Sequence, residues 1–339
     1  MDNSYTIERL KQMQSMPLEA KIIMSRRRIK QWYDHFRGNV YLSFSGGKDS
    51  TVLKHLIENT VGVYDVPSVF ADTGLEYPEI RQFAMSQPNV TAVKPKMIFP
   101  EVVRKYGYPV IAKQIATTIR YAKTGSQMYM KRLAGEARNS DGSLSHFNCP
   151  NWKFMLDADF EVGSECCAVM KKRPLQSYEK KTGRRPYVAI MACESQRRTF
   201  AWMHSGCNAF DAKKPKSSPM AFWTEQDVLQ YIKQYNVPYC SVYGDIVEDE
   251  NGQLTTTGCK RTGCVFCGFG CHLETKHGGH NRFQLLKKSH PKLYEYCING
   301  GEYVDGIWVP SKEGLGMGHV FDYMGVPYGD TSTLFDDNE

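Results

Sequence analysis

The sequence lacks any stretch that is long and apolar enough to cross a membrane, because no run of eighteen apolar residues occurs. Its first residues, MDNSYTIERLKQ, also lack the apolar core of a secretory signal peptide. These absences predict a cytoplasmic protein without a membrane partner. A strong charge imbalance is missing too, since 43 Lys and Arg residues against 36 Asp and Glu residues leave a net charge of +7. This mild excess fits an anionic substrate or nucleic acid, and equally an ordinary solvated surface.

Cysteine, by contrast, is abundant, with eleven residues in the chain. In a reducing compartment, metal binding or redox chemistry explains such a number better than disulfides do. Six of the cysteines are grouped, with Cys166 and Cys167 adjacent and four more falling between residues 259 and 271. The scattered remainder is predicted to be buried free thiols, namely Cys149, Cys193, Cys207, Cys240 and Cys297.

Hydrophobic periodicity divides the chain into three parts. Residues 4–37 have a helical pattern whose predicted buried face is formed by Ile22, Ile23, Ile29 and Trp32. From Asn39 onward, short β-rich runs such as VYLSF, VPSVF and VTAV alternate with helical segments. Such alternation predicts an α/β fold with a doubly wound, mainly parallel sheet.

The end of the chain differs in composition, since glycine and cysteine become frequent and apolar periodicity fades after about Tyr239. We therefore predict a helical N-terminal extension over residues 1–38, an α/β domain over 39–238 and a small cysteine-rich C-terminal region over 239–339. A metal ion or cluster is expected to stabilise the last of these in part. Before it, Thr224 and Asp227 predict a capping box at a helix start.

The stretch YLSFSGGKDSTVL (41–53) places a glycine-rich turn between a strand and a helix. Gly46 and Gly47 allow a tight turn that brings backbone N–H groups close to an anion, and the following helix directs its positive end there. Ser45 and Ser50 add hydroxyl groups, and Lys48 adds a positive charge. The stretch therefore predicts a phosphate-binding loop, although it lacks the residue spacing of a Walker A motif.

The hexapeptide SGGKDS resembles the pyrophosphate loop of the PP-loop ATP pyrophosphatases. Further segments resemble the phosphoadenosine phosphosulfate reductase branch of that superfamily, in the same order along the chain: FADTGLEYPE (70–79), CCAVMKKRPL (166–175), ACESQRRTF (192–200) and SPMAFWTEQDVLQYIKQYNVPY (218–239). The resemblance covers roughly residues 39 to 271 and implies an adenine nucleotide α-hydrolase-like fold that binds an adenine nucleotide.

The resemblance and the position of each motif give the expected site residues. The phosphates of ATP, or of adenylyl sulfate, are expected on Ser45, Gly46, Gly47, Lys48, Asp49 and Ser50. Asp72, Thr73 and Gly74 end the second strand and are expected near the nucleotide. Lys171, Arg197 and Arg198 are expected to neutralise an α-phosphate or sulfate. Asp72 and Glu194 also suit a second role, as hydrogen-bonded polar residues at strand ends.

The grouped cysteines allow two ligand sets. Cys259, Cys264, Cys267 and Cys271 alone could bind zinc or a cluster, and the first three copy a plant-type ferredoxin spacing with Cys297 as a distant fourth ligand. Adenylyl-sulfate reductases instead hold a [4Fe–4S] cluster with a Cys-Cys pair and a later Cys-x-x-Cys pair. The resemblance thus implies Cys166, Cys167, Cys264 and Cys267, with Lys171 close by. We prefer this set, with zinc as the alternative metal, which leaves Cys259 and Cys271 as candidate redox or sulfur-carrying thiols.

Two departures from the sulfonucleotide reductases guide the functional prediction. Those enzymes use a cysteine in a C-terminal Glu-Cys-Gly-x-His segment, which this sequence lacks, and they often have an altered glycine loop, which is complete here. We therefore predict an ATP pyrophosphatase that uses Mg²⁺-bound ATP to adenylate an acceptor, which then receives sulfur. The expected acceptor is a nucleic acid, held by aromatic and basic residues within 113–132, and the expected sulfur donor is a protein such as a cysteine desulfurase.

Two alternatives remain. The first is an assimilatory reductase of adenylyl sulfate or its 3′-phosphorylated form, with Cys259 or Cys271 as nucleophile. The second is a regulatory, nucleic-acid-binding protein with an inactive loop and a structural metal. For residues 113–132, a surface helix with buried tyrosines is the alternative to a binding surface.

Overall fold

The computed structural model describes residues 5–275 and 279–329. The chain forms two compact units, each built from two segments. We call Met1–Pro95 with Lys172–Gly263 the sheet unit, and Lys96–Lys171 with Cys264–Glu339 the cysteine unit. The division predicted at residues 38 and 238 stays a prediction.

Fourteen α-helices occur in the described residues: α1 (Ile7–Gln14), α2 (Leu18–His35), α3 (Lys48–Glu58), α4 (Pro78–Ser86), α5 (Phe99–Tyr106), α6 (Lys113–Lys123), α7 (Gln127–Ala134), α8 (Arg173–Thr182), α9 (Gln196–Ser205), α10 (Glu225–Tyr235), α11 (Cys271–Glu274), α12 (Arg282–Ser289), α13 (Pro291–Ile298) and α14 (Met317–Met324). The strands of the same residues are β1 (Val40–Phe44), β2 (Ser68–Ala71), β3 (Val90–Val93), β4 (Val110–Ile111), β5 (Arg185–Val188), β6 (Asn208–Ala209), β7 (Lys216–Ser217), β8 (Ile246–Glu248), β9 (Leu254–Thr256), β10 (Gly268–Phe269), β11 (Glu302–Val304) and β12 (Ile307–Val309). No helix among the described residues has the length and apolarity of a membrane span.

The sheet unit is organised around a six-stranded sheet in the order β3-β2-β1-β5-β7-β6. Every neighbouring pair is parallel except β6 and β7. The central strand β1 is largely buried, as expected for a parallel strand that is covered on both faces. Helices pack against the sheet, with α3 on β1 and α8 on β2 and β3. The predicted α/β class with a mainly parallel sheet is confirmed.

The strand order reverses at β1, and this reversal positions the candidate site. From β1 the chain continues through α3 to the neighbouring strand β2, whereas β5, on the other side of β1, is reached only much later. Parallel α/β sheets bind ligands outside the carboxyl ends of the strands at such a switch point. The loop after β1 and the segment after β5 therefore share the edge of the sheet where a ligand is expected.

Helix α2 buries one apolar stripe within the sheet unit, as its sequence predicts. One residue predicted to belong to this stripe does not. Ile22, Ile29 and Trp32 are buried, whereas Ile23 is 68% exposed. Successive helical residues are about 100° apart, so the neighbour of Ile22 turns out of the stripe.

A buried ion pair joins α2 to α10. The Lys21 ammonium group donates to both carboxylate oxygens of Asp227, at 2.8 and 2.7 Å, and to the carbonyl of Gln14 at 2.6 Å. The carboxylate of Asp227 also accepts from the backbone N–H and the hydroxyl group of Thr224, which confirms the predicted capping box.

The cysteine unit contains α5–α7 and α11–α14 together with two two-stranded sheets, β4 with β10 and β11 with β12. The expectation that apolar periodicity fades after Tyr239 is wrong for its last helices. Phe283 and Leu286 on α12 and Val320 and Phe321 on α14 are buried, so short amphipathic helices build an apolar core there.

Candidate functional site

The loop after β1 has the geometry of a tight turn that leads directly into a helix. Gly46 adopts a φ of +73°, and a Cβ atom there would lie 2.9 Å from the carbonyl oxygen of Ile80, so only glycine fits without strain. The Ser50 hydroxyl donates to the carbonyl of Gly47 at 2.9 Å and accepts from the backbone N–H of Ser45 at 3.2 Å. The two serines thus fix the turn, and α3 begins immediately after it.

Lys48 is buried although it carries a charge, with 5% of its surface exposed. Its ammonium group donates to the carbonyl of Lys260 at 2.9 Å and lies 3.0 Å from a carboxylate oxygen of Glu225. It also lies 5.2 Å from the ring centre of Tyr243, within the range of a cation–π interaction. These contacts hold the charge at the start of α3.

The Tyr243 hydroxyl lies at the helix N-terminus, where the sequence predicts an anion. It accepts from the backbone N–H of Lys48 at 3.2 Å and forms a 2.6 Å hydrogen bond with the Thr262 hydroxyl. Burial raises the pKa of Tyr243 to about 12, so the hydroxyl is neutral at physiological pH. Sequence reasoning missed Tyr243, Thr262 and Glu225, because nothing in their local pattern indicates contact with a loop about 200 residues away.

Asp49, in the first turn of α3, is the carboxylate of the SGGKDS loop. Its Oδ1 atom is buried and has no hydrogen-bond partner within the described residues. Burial raises the pKa of this carboxyl group, an effect that the nearby Lys48 opposes. A buried acceptor without a partner is costly. A cation bound at the loop would satisfy this oxygen.

A group of basic side chains surrounds the segment after β5. Arg198 pairs with Glu194, and Arg261 lies 4.0 Å from the same carboxylate. Burial and the charge of Arg261 lower the pKa of Arg198, and burial together with the charges of Arg198, Lys172 and Arg197 lowers that of Lys216. These cations repel one another, so a bound anion would be stabilised among them.

The residues after β2 have protein partners. Arg81 donates to both oxygens of the Asp72 carboxylate, at 2.9 and 3.0 Å. The Thr73 hydroxyl donates to the Glu76 carboxylate at 2.9 Å. Gly74 has a φ of +74°, and a Cβ atom there would meet nothing within 4 Å. This geometry suits Asp72 as a hydrogen-bonded residue at a strand end, and its predicted nucleotide contact stays a prediction.

All eleven cysteines lie in the described part of the chain, and none of them forms a disulfide there. Of the five scattered ones, Cys207, Cys240 and Cys297 are buried as predicted, and Cys149 is half-buried. The prediction for Cys193 is wrong, because this residue is exposed. Its thiol lies 3.4 Å from the carbonyl of Trp223 and close enough to Arg261 and Asp49 to feel their charges.

The four cysteines of the preferred ligand set are neighbours within the cysteine unit. The Cys166 and Cys167 sulfur atoms lie 4.0 Å apart. The hydrogen bond from Cys166 lowers the pKa of Cys167 to about 5, with further help from Lys113 and Lys171. The same bond, burial and the nearby Cys267 and Cys264 raise the pKa of Cys166.

The two residues left outside that set differ in their surroundings. Cys271 is buried, donates to the carbonyl of Gly268 at 3.0 Å and has a pKa raised by burial to about 12. Cys259 belongs to the sheet unit, half-buried near Tyr77 and Glu79. A protonated, buried Cys271 is poorly suited to act as a nucleophile.

The donor chemistry of the preferred set suits a thiolate-bound metal centre, since it offers four thiols in one unit and basic side chains near Cys167 favour a thiolate. Within residues 5–275 and 279–329, however, no three Cys, His, Asp or Glu side chains are placed to hold a single metal ion. Lys171 lies near Cys167, as the resemblance implies. Arg197 is exposed at the start of α9.

Comparison with known proteins identifies the family of this chain. Residues 39–108 and 112–269 match the family described as "Phosphoadenosine phosphosulfate reductase domain". The matched residues make up more than half of the chain, which therefore belongs to the phosphoadenosine phosphosulfate reductase family. The match includes the loop, the segment after β2 and all four cysteines of the preferred set.

Two individual proteins illustrate the similarity. An uncharacterized protein of Methanocaldococcus jannaschii is 27% identical over 296 residues, which is 86% of this chain and 46% of that protein. This chain thus spans about half the length of the curated relative that it matches. A crystal structure of phosphoadenylyl-sulfate reductase from Candida auris, in a phosphate complex, aligns with a TM-score of 0.37 and 17% identity, covering 74% of this chain and 98% of that one.

Proposed function

We propose that this protein is an ATP pyrophosphatase that cleaves ATP between the α- and β-phosphates and transfers the adenylyl group to an acceptor, from which a sulfur nucleophile supplied by the donor then displaces AMP. The observation that carries the proposal is the complete SGGKDS loop at the switch point of the sheet. At the start of α3 it carries a buried lysine and a carboxylate oxygen, Oδ1 of Asp49, that is buried and has no hydrogen-bond partner in the described part of the chain. Cytoplasmic location, a nucleic acid acceptor and a sulfur-donor protein such as a cysteine desulfurase are parts of the same proposal.

The proposed roles follow from charge and position. The N–H groups of Gly46, Gly47 and the start of α3 bind the leaving pyrophosphate, with hydroxyl groups from Ser45 and Ser50 beside them. The Lys48 charge stabilises the negative charge that develops on that group. To reach the N–H of Lys48, the phosphate displaces the Tyr243 hydroxyl.

The remaining residues are proposed to act on the other parts of the nucleotide. Arg197 and Arg198 neutralise the α-phosphate while the acceptor oxygen attacks phosphorus and the bond to the β-phosphate oxygen breaks. Thr73 and Gly74, with Asp72, lie beside the nucleoside, and Lys171 is proposed to contact the sulfur-transfer centre. Asp49 is the residue proposed to hold Mg²⁺, because its Oδ1 atom is buried and lacks a partner within the described residues. Mg²⁺ would neutralise phosphate charge.

We propose further that Cys166, Cys167, Cys264 and Cys267 hold a [4Fe–4S] cluster, which supplies electron or sulfur transfer when it is bound. Their neighbourhood and the low pKa of Cys167 support this proposal. Iron and acid-labile sulfide, measured on anaerobically purified protein, are expected in equal amounts. Zinc without iron would refute the cluster and leave a structural metal site instead.

The test of the ATP reaction follows labelled nucleotide with the purified protein and a nucleic acid acceptor. ATP labelled at the α-phosphate should yield pyrophosphate and AMP or an adenylylated acceptor. Lys48→Ala should abolish this yield, whereas the control Lys54→Ala should retain it, since Lys54 lies on the same helix but pairs with Glu58. Unchanged product in the Lys48 variant would refute the assignment of the loop.

Membership of this family supports a second candidate function, which is the reduction of adenylyl sulfate or its 3′-phosphorylated form. Cys259 is then the candidate nucleophile, since Cys271 is buried. Thioredoxin-dependent release of sulfite from the purified substrate, without use of ATP, would establish it. If neither pyrophosphate nor sulfite is produced, the protein is instead a regulator that does not catalyse either reaction.

A further inference from the structure

Helices α6 and α7 of the cysteine unit present aromatic side chains to solvent. The rings of Tyr121 and Tyr129 stack with centroids 5.1 Å apart and an angle of 22° between their planes. Tyr121 is 46% exposed and Tyr129 half-buried. Nearby, Met128 and Met130 are also exposed. The tyrosines of this helical pair therefore do not form a buried face, which removes the simplest structural explanation for them.

A guanidinium group extends this stack. Arg132 lies 5.1 Å from the ring centre of Tyr129 and 5.0 Å from that of Phe147, so its planar group contacts two aromatic rings. Arginine binds aromatic faces by cation–π contacts and can stack on a nucleobase in the same way. Tyr121, Tyr129, Arg132 and Phe147 thus form a continuous row of π-systems, which we call the tyrosine row.

A second aromatic row lies on neighbouring elements of the same unit. Trp152 and Phe154 stack at 5.9 Å, and Phe154 and Tyr323 stack at the same distance. Phe154 and Tyr323 are exposed. The 3₁₀-helix Pro150–Asp157, which carries the first two, packs against both α6 and α7. Two rows of stacked rings on adjoining elements are more than the scattered apolar residues of an ordinary surface.

The charged residues of α6 and of the chain up to Arg132 in α7 are all basic. Residues 113–132 contain five Lys and Arg residues and no Asp or Glu. Arg120 and Lys123 lie near the carboxylates of Glu165 and Glu161, which neutralise part of the excess. Lys131 is exposed, with no ion pair among the described residues, and it adjoins Arg132 in the tyrosine row. The positive charges of Lys131 and Arg132 therefore favour an anionic partner.

We infer that the tyrosine row binds single-stranded nucleic acid, with bases stacked on the rings and phosphates near Lys131 and Arg132. Proteins that bind single-stranded nucleic acid use exposed aromatic rings, on which bases stack, together with positive charge. The bases of a duplex stack on each other and cannot stack on such rings. This inference rests on the proposed function, for which it names the surface that holds a nucleic acid acceptor.

The test is fluorescence anisotropy with a labelled single-stranded oligonucleotide of about twelve residues, within the span of known single-strand sites. Stacking of one base on an aromatic ring contributes to the binding free energy. The loss of one such stack, in Tyr121→Ala or in Tyr129→Ala, should weaken binding about 5- to 100-fold. The control Tyr64→Ala removes an exposed tyrosine from the sheet unit and should not change binding. Arg132→Lys should weaken binding although the charge is kept, and Arg132→Ala should weaken it further.

Three results would overturn the inference: no binding by the wild-type protein, tighter binding of the matching duplex, or unchanged binding by both tyrosine variants. Thermal melts of each variant exclude loss of folding as a cause. Binding is measured without ATP, and Lys48→Ala should bind the oligonucleotide as the wild-type protein does. If the inference about the tyrosine row fails while the proposed ATP reaction holds, the wild-type protein releases pyrophosphate without binding the oligonucleotide through this row. If the ATP reaction fails while the inference holds, the protein binds the oligonucleotide through the row and releases no pyrophosphate.

Discussion

Removal of a single hydroxyl group, in Tyr243→Phe, should make the protein bind pyrophosphate and ATP more tightly. In this structure the Tyr243 hydroxyl accepts from the backbone N–H of Lys48 at 3.2 Å. A phosphate bound at the N-terminus of α3 needs the same N–H. The hydroxyl is therefore a competitor of the ligand rather than one of its binding groups. Phenylalanine keeps the ring that faces Lys48 and removes only the competing oxygen.

The size of the effect follows from one hydrogen bond. A neutral intramolecular hydrogen bond contributes about 0.5–1.5 kcal/mol net, and ligand binding no longer has to break it in the variant. The dissociation constant of pyrophosphate should accordingly fall about 2- to 12-fold. The 2.6 Å bond to Thr262 adds to this gain only if it too is broken when the ligand binds.

Isothermal titration with pyrophosphate and with a non-hydrolysable ATP analogue measures the change. The matched control is the neighbouring Tyr239→Phe, which removes a hydroxyl that donates to the carbonyl of Gly244 at 2.8 Å and not to a group of the loop. The control should bind as the wild-type protein does. Weaker binding by Tyr243→Phe would refute the reasoning and make the hydroxyl a ligand of the nucleotide.

Three further predictions concern stability and reactivity. Lys21→Met leaves the buried Asp227 carboxylate without its partner and should lower the free energy of unfolding by about 3–5 kcal/mol. The exposed Lys30→Met should lower it by less than about 1 kcal/mol, and urea denaturation measures both changes. Gly46→Ala should destabilise more than Gly74→Ala in the same assay, because both have positive φ but only the first meets a backbone carbonyl; equal losses would contradict this. Although Cys193 is exposed, partial desolvation of its thiol raises its pKa, so its alkylation should be slow at pH 7, faster at more alkaline pH and slowed by ATP, as followed by mass spectrometry.

Several features of the fold were predictable because they depend on nearby residues. The glycine turn, the strand before it and the helix after it form one continuous stretch, and the Thr224 capping box spans four residues. The parallel sheet follows from the alternation of strand and helix patterns. Local propensity and hydrophobic period therefore suffice for the elements that carry the loop.

Other features depend on contacts between distant parts of the chain and could not be predicted. The residues that contact Lys48 come from positions 225, 243 and 260, and no pattern near them indicates this. Cys193 was predicted to be buried because free cysteine usually is, but it lies in the short 3₁₀-helix Ala192–Glu194 after β5, where its side chain is exposed. The tyrosine row depends on how α6, α7 and the 3₁₀-helix pack. Composition alone therefore could not decide whether the tyrosines of residues 113–132 are buried or exposed.

The central claim is that the SGGKDS loop holds the terminal phosphates of a nucleotide. Equilibrium binding of pyrophosphate and ATP to the wild-type protein, Lys48→Ala and Lys54→Ala tests it most directly. We predict that pyrophosphate competes with ATP for one site and that both ligands bind at least about tenfold more weakly to Lys48→Ala but normally to Lys54→Ala. Wild-type affinity in the Lys48 variant, or pyrophosphate that does not compete with ATP, would contradict the claim.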